Sequence, residues 1–336
     1  MAGLKTMRRA LRTVGLALWL SAAGCVAGLH AAPPATAPPA GGLVWQMRAE
    51  AGTVYIAGSM HLLHRDRPQL PPAIEAAYRE AESLVMEIDV DDADEQAMAA
   101  LMLRTARFAD GRSLPQVAGE ARWQRLRGLL ARSGVPEAFG ATLEPWGAAI
   151  MLTTLEYARL GFDPAVGVER QLQQRAAADS KPISGLETPQ FQLGLLDALP
   201  LGGQLQLLDL TLDELAQMPR LVDTLYGAWR AGDLAVLEAL LLEGYADMPQ
   251  LYDALVDRRN RNWIPQLQSL LQQQEDSLVV VGALHLVGER GLLALLARAG
   301  ITVTPYRPTE PAVPGAATGI ATDPVTGAAA VALVAP

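Results

Sequence analysis

A single cysteine, Cys25, and only four histidines occur in the 336 residues. One thiol cannot form an intramolecular disulfide, and no second cysteine is present for thiol catalysis or a cysteine-based zinc site. A nucleophile-elbow Gly-x-Ser-x-Gly, a phosphate loop and a dinucleotide fingerprint are also missing. No Lys/Arg cluster carries interleaved aromatics, and the formal net charge is −9. A phosphate backbone would be repelled, which excludes nucleic acid as a partner.

Asp and Glu are absent from the first 32 residues, where Lys5, Arg8, Arg9 and Arg12 precede the apolar run Val14 to Ala23. A basic start and a short apolar stretch mark an export leader, here over residues 1–30, because the stretch is too short for a permanent membrane helix. Two modes of processing stand open. Ala22-Ala23-Gly24-Cys25 resembles a lipobox, which would make Cys25 a lipidated, membrane-associated N-terminus, although Ala22 stands where such boxes usually have Leu. The other mode is ordinary cleavage near Leu29-His30-Ala31-Ala32. Either way the expected location is the periplasm, free or anchored to the membrane. Losing the four basic residues and no acidic one would take the net charge to about −13.

Residues 31–42 (AAPPATAPPAGG) read as a flexible tether, and residues 307–336, rich in Ala, Pro, Gly, Thr and Val, as a disordered tail. Residues 43–306 between them form the expected domain. Half of the chain is hydrophobic, enough to build a large core without disulfides.

Leu43 to Met47 and Thr53 to Ala57 alternate as a strand hairpin, and the second strand runs into Gly58-Ser59-Met60-His61. Pro71-Pro72 opens a helix, and Leu84 to Val90 reads as a strand. A long helical stretch over about 95–160 breaks near Gly111, Gly134 and Pro145. Val168 to Ala178 continues it, and a short strand, Ile183 to Gly185, leads to a helix capped by Thr188-Pro189. Leu278 to Val281 is apolar on both faces, as buried parallel strands are, and ends in Gly282-Ala283-Leu284-His285. A helix over 289–299, with Gly300 as its stop, and a strand from Ile301 to Tyr306 complete the order. Strand, Gly-x-x-His, helix, strand thus occurs twice. The fold class is α/β, with a mixed central sheet from two related strand–GxxH–helix–strand halves and a large helical insertion.

His61 and His285 close the two Gly-x-x-His turns, where side chains can point over the carboxyl edge of a sheet. Histidine supplies a neutral ligand for a metal or a proton carrier near neutral pH, and a hydrogen-bonded structural pair is the plainer alternative. His64, three residues beyond His61, falls in a loop rich in Arg and Pro. Glu87 lies mid-strand in an apolar run, where a charge is costly unless paired, hydrogen-bonded or metal-bound; an edge strand with a wet face would also accept it. Glu187 stands between strand and helix and could equally serve as a first-turn carboxylate. Asp89, Asp91, Asp92, Asp94 and Glu95 lack the Gly and Glu that a calcium loop needs and read as a solvated helix start. The run from Arg258 through Arg259 and Asn260 to Trp263 is either a solvated face or a clamp for a substrate carboxylate.

In this order, the segments Thr53 to His61, Leu84 to Asp89, Lys181 to Thr188, Arg259 to Trp263 and Val279 to Gly288 resemble the TraB/GumN family, whose wider relatives include Tiki proteases and erythromycin-esterase-like proteins. The resemblance spans Val44 to Tyr306, with Ser59 where relatives often have Thr. It implies one divalent metal ion held by His61, His285 and Glu87, and N and O ligands without thiolate allow Mn, Zn, Fe or Co. It also implies Glu87 as ligand or general base, and Glu187, Arg259 and Asn260 as further catalytic candidates. The function that follows is metal-dependent hydrolysis of a peptide or small molecule in the cell envelope. The alternatives are a non-catalytic binding or assembly factor in envelope or exopolysaccharide biogenesis, and a metal-free esterase using the histidines for proton transfer.

Overall fold

A computed structural model describes residues 42–89, 94–245 and 248–308. The expected leader, nearly all of the tether, the tail beyond residue 308 and the acidic pair Asp91 and Asp92 lie outside the described residues, as do the side chains of Asp94 and Glu95.

Eight strands form. They are β1 (Val44–Arg48), β2 (Thr53–Ser59), β3 (Leu63–His64), β4 (Ser83–Ile88), β5 (Phe162–Asp163), β6 (Ile183–Glu187), β7 (Ser277–Gly282) and β8 (Thr304–Pro305). Six of them make one sheet in the order β6-β4-β7-β2-β1-β8, and β3 pairs with β5 in a separate ribbon. Four adjacent strands, β6, β4, β7 and β2, are mutually parallel, with β6 at the sheet's edge. β1 and β8 extend the sheet antiparallel beyond β2. The expected hairpin of β1 and β2 is present, closed by Ala49 N–H on Gly52 O at 3.0 Å.

β7 is buried at every residue, which explains its unbroken apolar run: it has parallel neighbours on both sides. β4 is likewise internal, between β6 and β7, so Glu87 does not face water from an edge strand. β8 is only two residues long, whereas the sequence predicts a strand from Ile301 to Tyr306. Pro305 has no N–H to give to the ladder, and the strand lies on the sheet's outer edge.

Helices α1 (Pro72–Glu80), α2 (Asp94–Thr105), α3 (Leu114–Ala118), α4 (Glu120–Arg132), α5 (Glu137–Gly140) and α6 (Pro145–Arg159) follow; the stretch breaks near Gly111, Gly134 and Pro145 as expected, and also at Gly119, which was not. α7 (Val168–Ala178) has the expected ends. α8 (Pro189–Asp197) is capped by Thr188 Oγ1, which accepts from Phe191 N–H at 3.3 Å. The insertion continues through α9 (Leu201–Glu214), α10 (Met218–Ala231), α11 (Leu234–Glu243) and α12 (Pro249–Tyr252). α12 runs through a π-helical turn, Asp253–Asp257, into α13 (Arg258–Leu270). After β7 a 3-10 turn, Ala283–Leu286, precedes α14 (Leu292–Arg298). α14 starts three residues later than expected, because Gly291 N–H closes a turn on Gly288 O at 3.0 Å. Among the described residues no helix is long and apolar enough to cross a membrane.

Candidate functional site

The carboxyl ends of the four parallel strands each carry one polar side chain to the same edge. In spatial order these are Glu187 at the end of β6, Glu87 on β4, His285 just after β7 and His61 just after β2. β2 and β7 are paired with Ser59 opposite Gly282, so the two Gly-x-x-His turns leave the sheet side by side. Gly58 permits this closeness: a Cβ there would lie 2.8 Å from Leu286 Cδ1 and 3.3 Å from Ala283 Cα. The expected meeting of two histidines at one sheet edge is therefore present, at the kind of place where open α/β sheets build sites.

His285 is fully buried, and its ring orientation follows from its neighbours. Asn260 Nδ2 donates to His285 O at 3.2 Å and Arg290 O at 2.8 Å, which leaves Asn260 Oδ1 facing His285 Nδ1 at 2.6 Å. An amide oxygen only accepts, so Nδ1 carries the proton. Arg259 Nη1, which only donates, lies 3.1 Å from Nε2, so Nε2 carries the lone pair. Burial first, then the positive charge of Arg259, holds the His285 pKa well below the ordinary imidazole range. The ring is a neutral Nδ1–H imidazole.

Glu87 divides its two oxygens. Oε2 accepts from Arg259 Nη2 at 2.5 Å and from Gln192 Nε2 at 3.3 Å. Oε1 accepts from Gly282 N–H at 2.8 Å and lies 3.8 Å from His285 Nε2. Glu187 accepts from Arg259 Nε at 2.8 Å, Gln192 Nε2 at 3.1 Å and Trp263 Nε1 at 3.0 Å. Burial raises the Glu187 pKa, and the opposing charge of Arg259 only partly offsets this. Because Glu187 closes β6, opposite Ile88, it is a strand residue rather than a first-turn carboxylate of the following helix.

Arg259 and Asn260 are buried, while Arg258 pairs with Asp253 at 3.0 Å and Arg261 with Asp257 at 2.9 Å. The basic run is thus neither a uniform solvated face nor, as it lies here, a clamp on an outside anion. Arg259 grips the protein's own Glu87 and Glu187, stacking over Trp263 at 4.9 Å from the ring centroid. The π-helical turn lies just before it, and Arg259 Nη1 also donates to Leu255 O within that turn at 3.1 Å.

His61 is less buried, with 16% of its side chain exposed. Its Nδ1 lies 2.6 Å from Glu169 Oε1, and the Ser59 hydroxyl donates to the same oxygen. Burial acts to raise the Glu169 pKa, but His61 and Ser59 outweigh it and the net shift is downward, so the carboxylate stays ionised. Glu169 Oε2 is buried without a hydrogen-bond partner. His64 stays outside the cluster, with its ring edge-on to Phe162 at 5.3 Å and its Nδ1 accepting from Asp66 N–H at 3.2 Å.

All six residues expected from the sequence lie at this sheet edge. Sequence reasoning missed Gln192, which bridges the two glutamates, and Glu169. Glu169 sits in a first helical turn, where a carboxylate has an ordinary explanation; the Gly-Val-Glu start of α7 was the only signal, and it is weak.

A sequence profile described as the TraB/PrgY/gumN family matches residues 43–305. The uncharacterized protein YbaP of Escherichia coli (strain K12) is 28% identical over 242 residues, which covers 72% of this chain and 87% of YbaP. YbaP of Shigella flexneri matches to the same extent, at 28% over 242 residues. No solved structure matches.

Proposed function

The chain belongs to the TraB/PrgY/gumN family, and from that premise we propose that it is a divalent-metal-dependent hydrolase of the peptidase type, acting in the bacterial cell envelope. The observation that carries the reading is the alignment of Glu187, Glu87, His285 and His61 across four adjacent parallel strand ends. The envelope location rests on the acid-free basic start and on Cys25.

The donor set suits a metal in its chemistry. Each histidine has its Nδ1 tied to an acceptor, Glu169 for His61 and Asn260 for His285, which is how metal-binding imidazoles are oriented. Two metal bonds of about 2.1 Å can span up to about 4.2 Å, and His285 Nε2 and Glu87 Oε1 stand 3.8 Å apart. As the side chains lie, no group of three such ligands is close enough to hold an ion among the described residues. Arg259 Nη1 occupies the Nε2 lone pair, so binding requires Nη1 to withdraw while Nη2 and Nε keep Glu87 Oε2 and Glu187.

On this reading His61, His285 and Glu87 would hold the ion, which would supply Lewis-acid activation of water and of a carbonyl. Arg259 would supply a buried cation against charge developing on the substrate oxygen. Glu187, with its pKa raised by burial, is placed to hold a proton, and Asn260 keeps the His285 ring in the tautomer that exposes Nε2. Incubation of the full chain with mixed peptides, with and without Mn, Zn or Co, tests the proposal. Cleavage that chelation abolishes and His285→Ala removes is the expected outcome.

A second reading, a non-catalytic binding or assembly factor, is favoured by one observation. Arg259 pairs with both glutamates, so the protein's own cation occupies the carboxylates that catalysis would use. Absence of hydrolysis with every ion, together with saturable binding of an envelope component, would establish that reading instead.

A further inference from the structure

Three consecutive residues at the start of α7 grip the first Gly-x-x-His turn. Gly167 lets the helix start lie so close that a Cβ would fall 1.9 Å from His61 O. Val168 N–H donates to Met60 O at 3.2 Å. Glu169 then reaches His61 Nδ1 at 2.6 Å and takes the Ser59 hydroxyl on the same oxygen. The helix start therefore holds the backbone of the turn, and one of its side chains holds the imidazole. The contact joins residues 108 positions apart in the chain, so it is not a local consequence of the turn.

We propose that Glu169 is the positioning residue of His61: it keeps the ring proton on Nδ1 and directs Nε2, with its lone pair, away from α7 as the working nitrogen. A carboxylate can only accept at Nδ1, whereas an imidazole in water favours the proton on Nε2, so the tautomer is imposed by the fold. Ser59 fits the same role, because its hydroxyl supplies the second donor that aims Oε1; a threonine there would supply it too. His285 is positioned by a neutral amide instead, so the two histidines are held by different chemistry for the same result. The inference rests on His61 being a site residue, but it does not require a metal.

The test uses the full chain labelled with nitrogen-15 histidine, metal-stripped and at mildly alkaline pH. Long-range proton–nitrogen spectra report which ring nitrogen is protonated, and loss of one ring system in His61→Gln assigns the signals. Wild type and Glu169→Gln, whose amide oxygen can still accept, should show His61 as the Nδ1–H tautomer. Glu169→Leu should show Nε2–H; if that variant does not fold, Glu169→Ser, too short to reach the ring, replaces it. Protonation of Nε2 in the wild type, alone or together with Nδ1, overturns the proposal, as does a folded Leu or Ser variant that keeps Nδ1–H. In protein that takes up cobalt, Glu169→Leu should weaken binding about 10- to 100-fold and Glu169→Gln less. A wild type that takes up no ion sinks the metal reading alone, and the tautomer then decides this one.

Discussion

Asn260 Oδ1 and His285 Nδ1 stand 2.6 Å apart, and this one contact fixes which nitrogen of a fully buried ring faces Glu87 and Arg259. The same amide ties the turn after β7 to α13 through His285 O and Arg290 O. Asn260 therefore acts on both the ring and the backbone that carries it.

Asn260→Ala would leave the His285 Nδ1–H and two carbonyls without their partner. Each buried unsatisfied group costs about 1–3 kcal/mol, and with some relaxation the variant should lose about 2–4 kcal/mol. Urea unfolding of the variant beside wild type measures this, and a loss below 1 kcal/mol (roughly, against the per-group cost) would mean that the amide is dispensable.

Arg259→Met would strand Glu87 and Glu187 in the interior with no counter-charge. Breaking a buried pair by removing one partner costs about 3–5 kcal/mol. Adding Glu87→Gln should restore part of that stability, because the second change removes the charge that the first one stranded. If the double variant is no more stable than Arg259→Met alone, the guanidinium does not balance Glu87.

Gly167→Ala puts a methyl group into His61 O, and backbone on both sides leaves little room to yield. Overpacking of this kind costs about 1–3 kcal/mol. The expected result is a lower melting temperature and an altered His61 ring environment, with that of His285 unchanged. Wild-type behaviour in both would show that α7 does not press on the histidine turn.

Tyr55 and Tyr306 donate to the two oxygens of Glu80 and fasten the end of β8 to α1. Burial first, then Glu80, holds both phenols above their ordinary range. The unfolded phenols ionise near pH 10 while the folded ones keep their protons, so this stability is present below about pH 10 and lost above it. Tyr306→Phe should cost about 1.5 kcal/mol near neutral pH and flatten the alkaline decline of the urea midpoint.

Much of this was legible because strong periodicity survives packing. The apolar run of β7, the hairpin before His61 and the Thr188-Pro189 cap each have a local cause, and each was found where the residues put it. Glu87 was legible as an anomaly: a charge in an apolar strand needs a partner, and Arg259 is that partner. What was not legible depends on long-range contact. Neither the pairing of Glu169 with His61 nor the bridge of Gln192 between two glutamates leaves a mark in local pattern. The short β8 had a local cause that the alternation hid, since proline removes the donor a strand needs.

The account turns on the ion. Metal analysis of the full chain, purified in the presence of Mn, Zn and Co and compared with His61→Ala, His285→Ala and Glu87→Gln, tests it most directly. One tightly held divalent ion per wild-type chain, lost in both histidine variants while the fold is kept, is the predicted result. Glu87→Gln should lose the ion if the carboxylate is a ligand, or keep it and lose hydrolysis if it is the base. A wild-type chain that stays metal-free under all three conditions would contradict the claim.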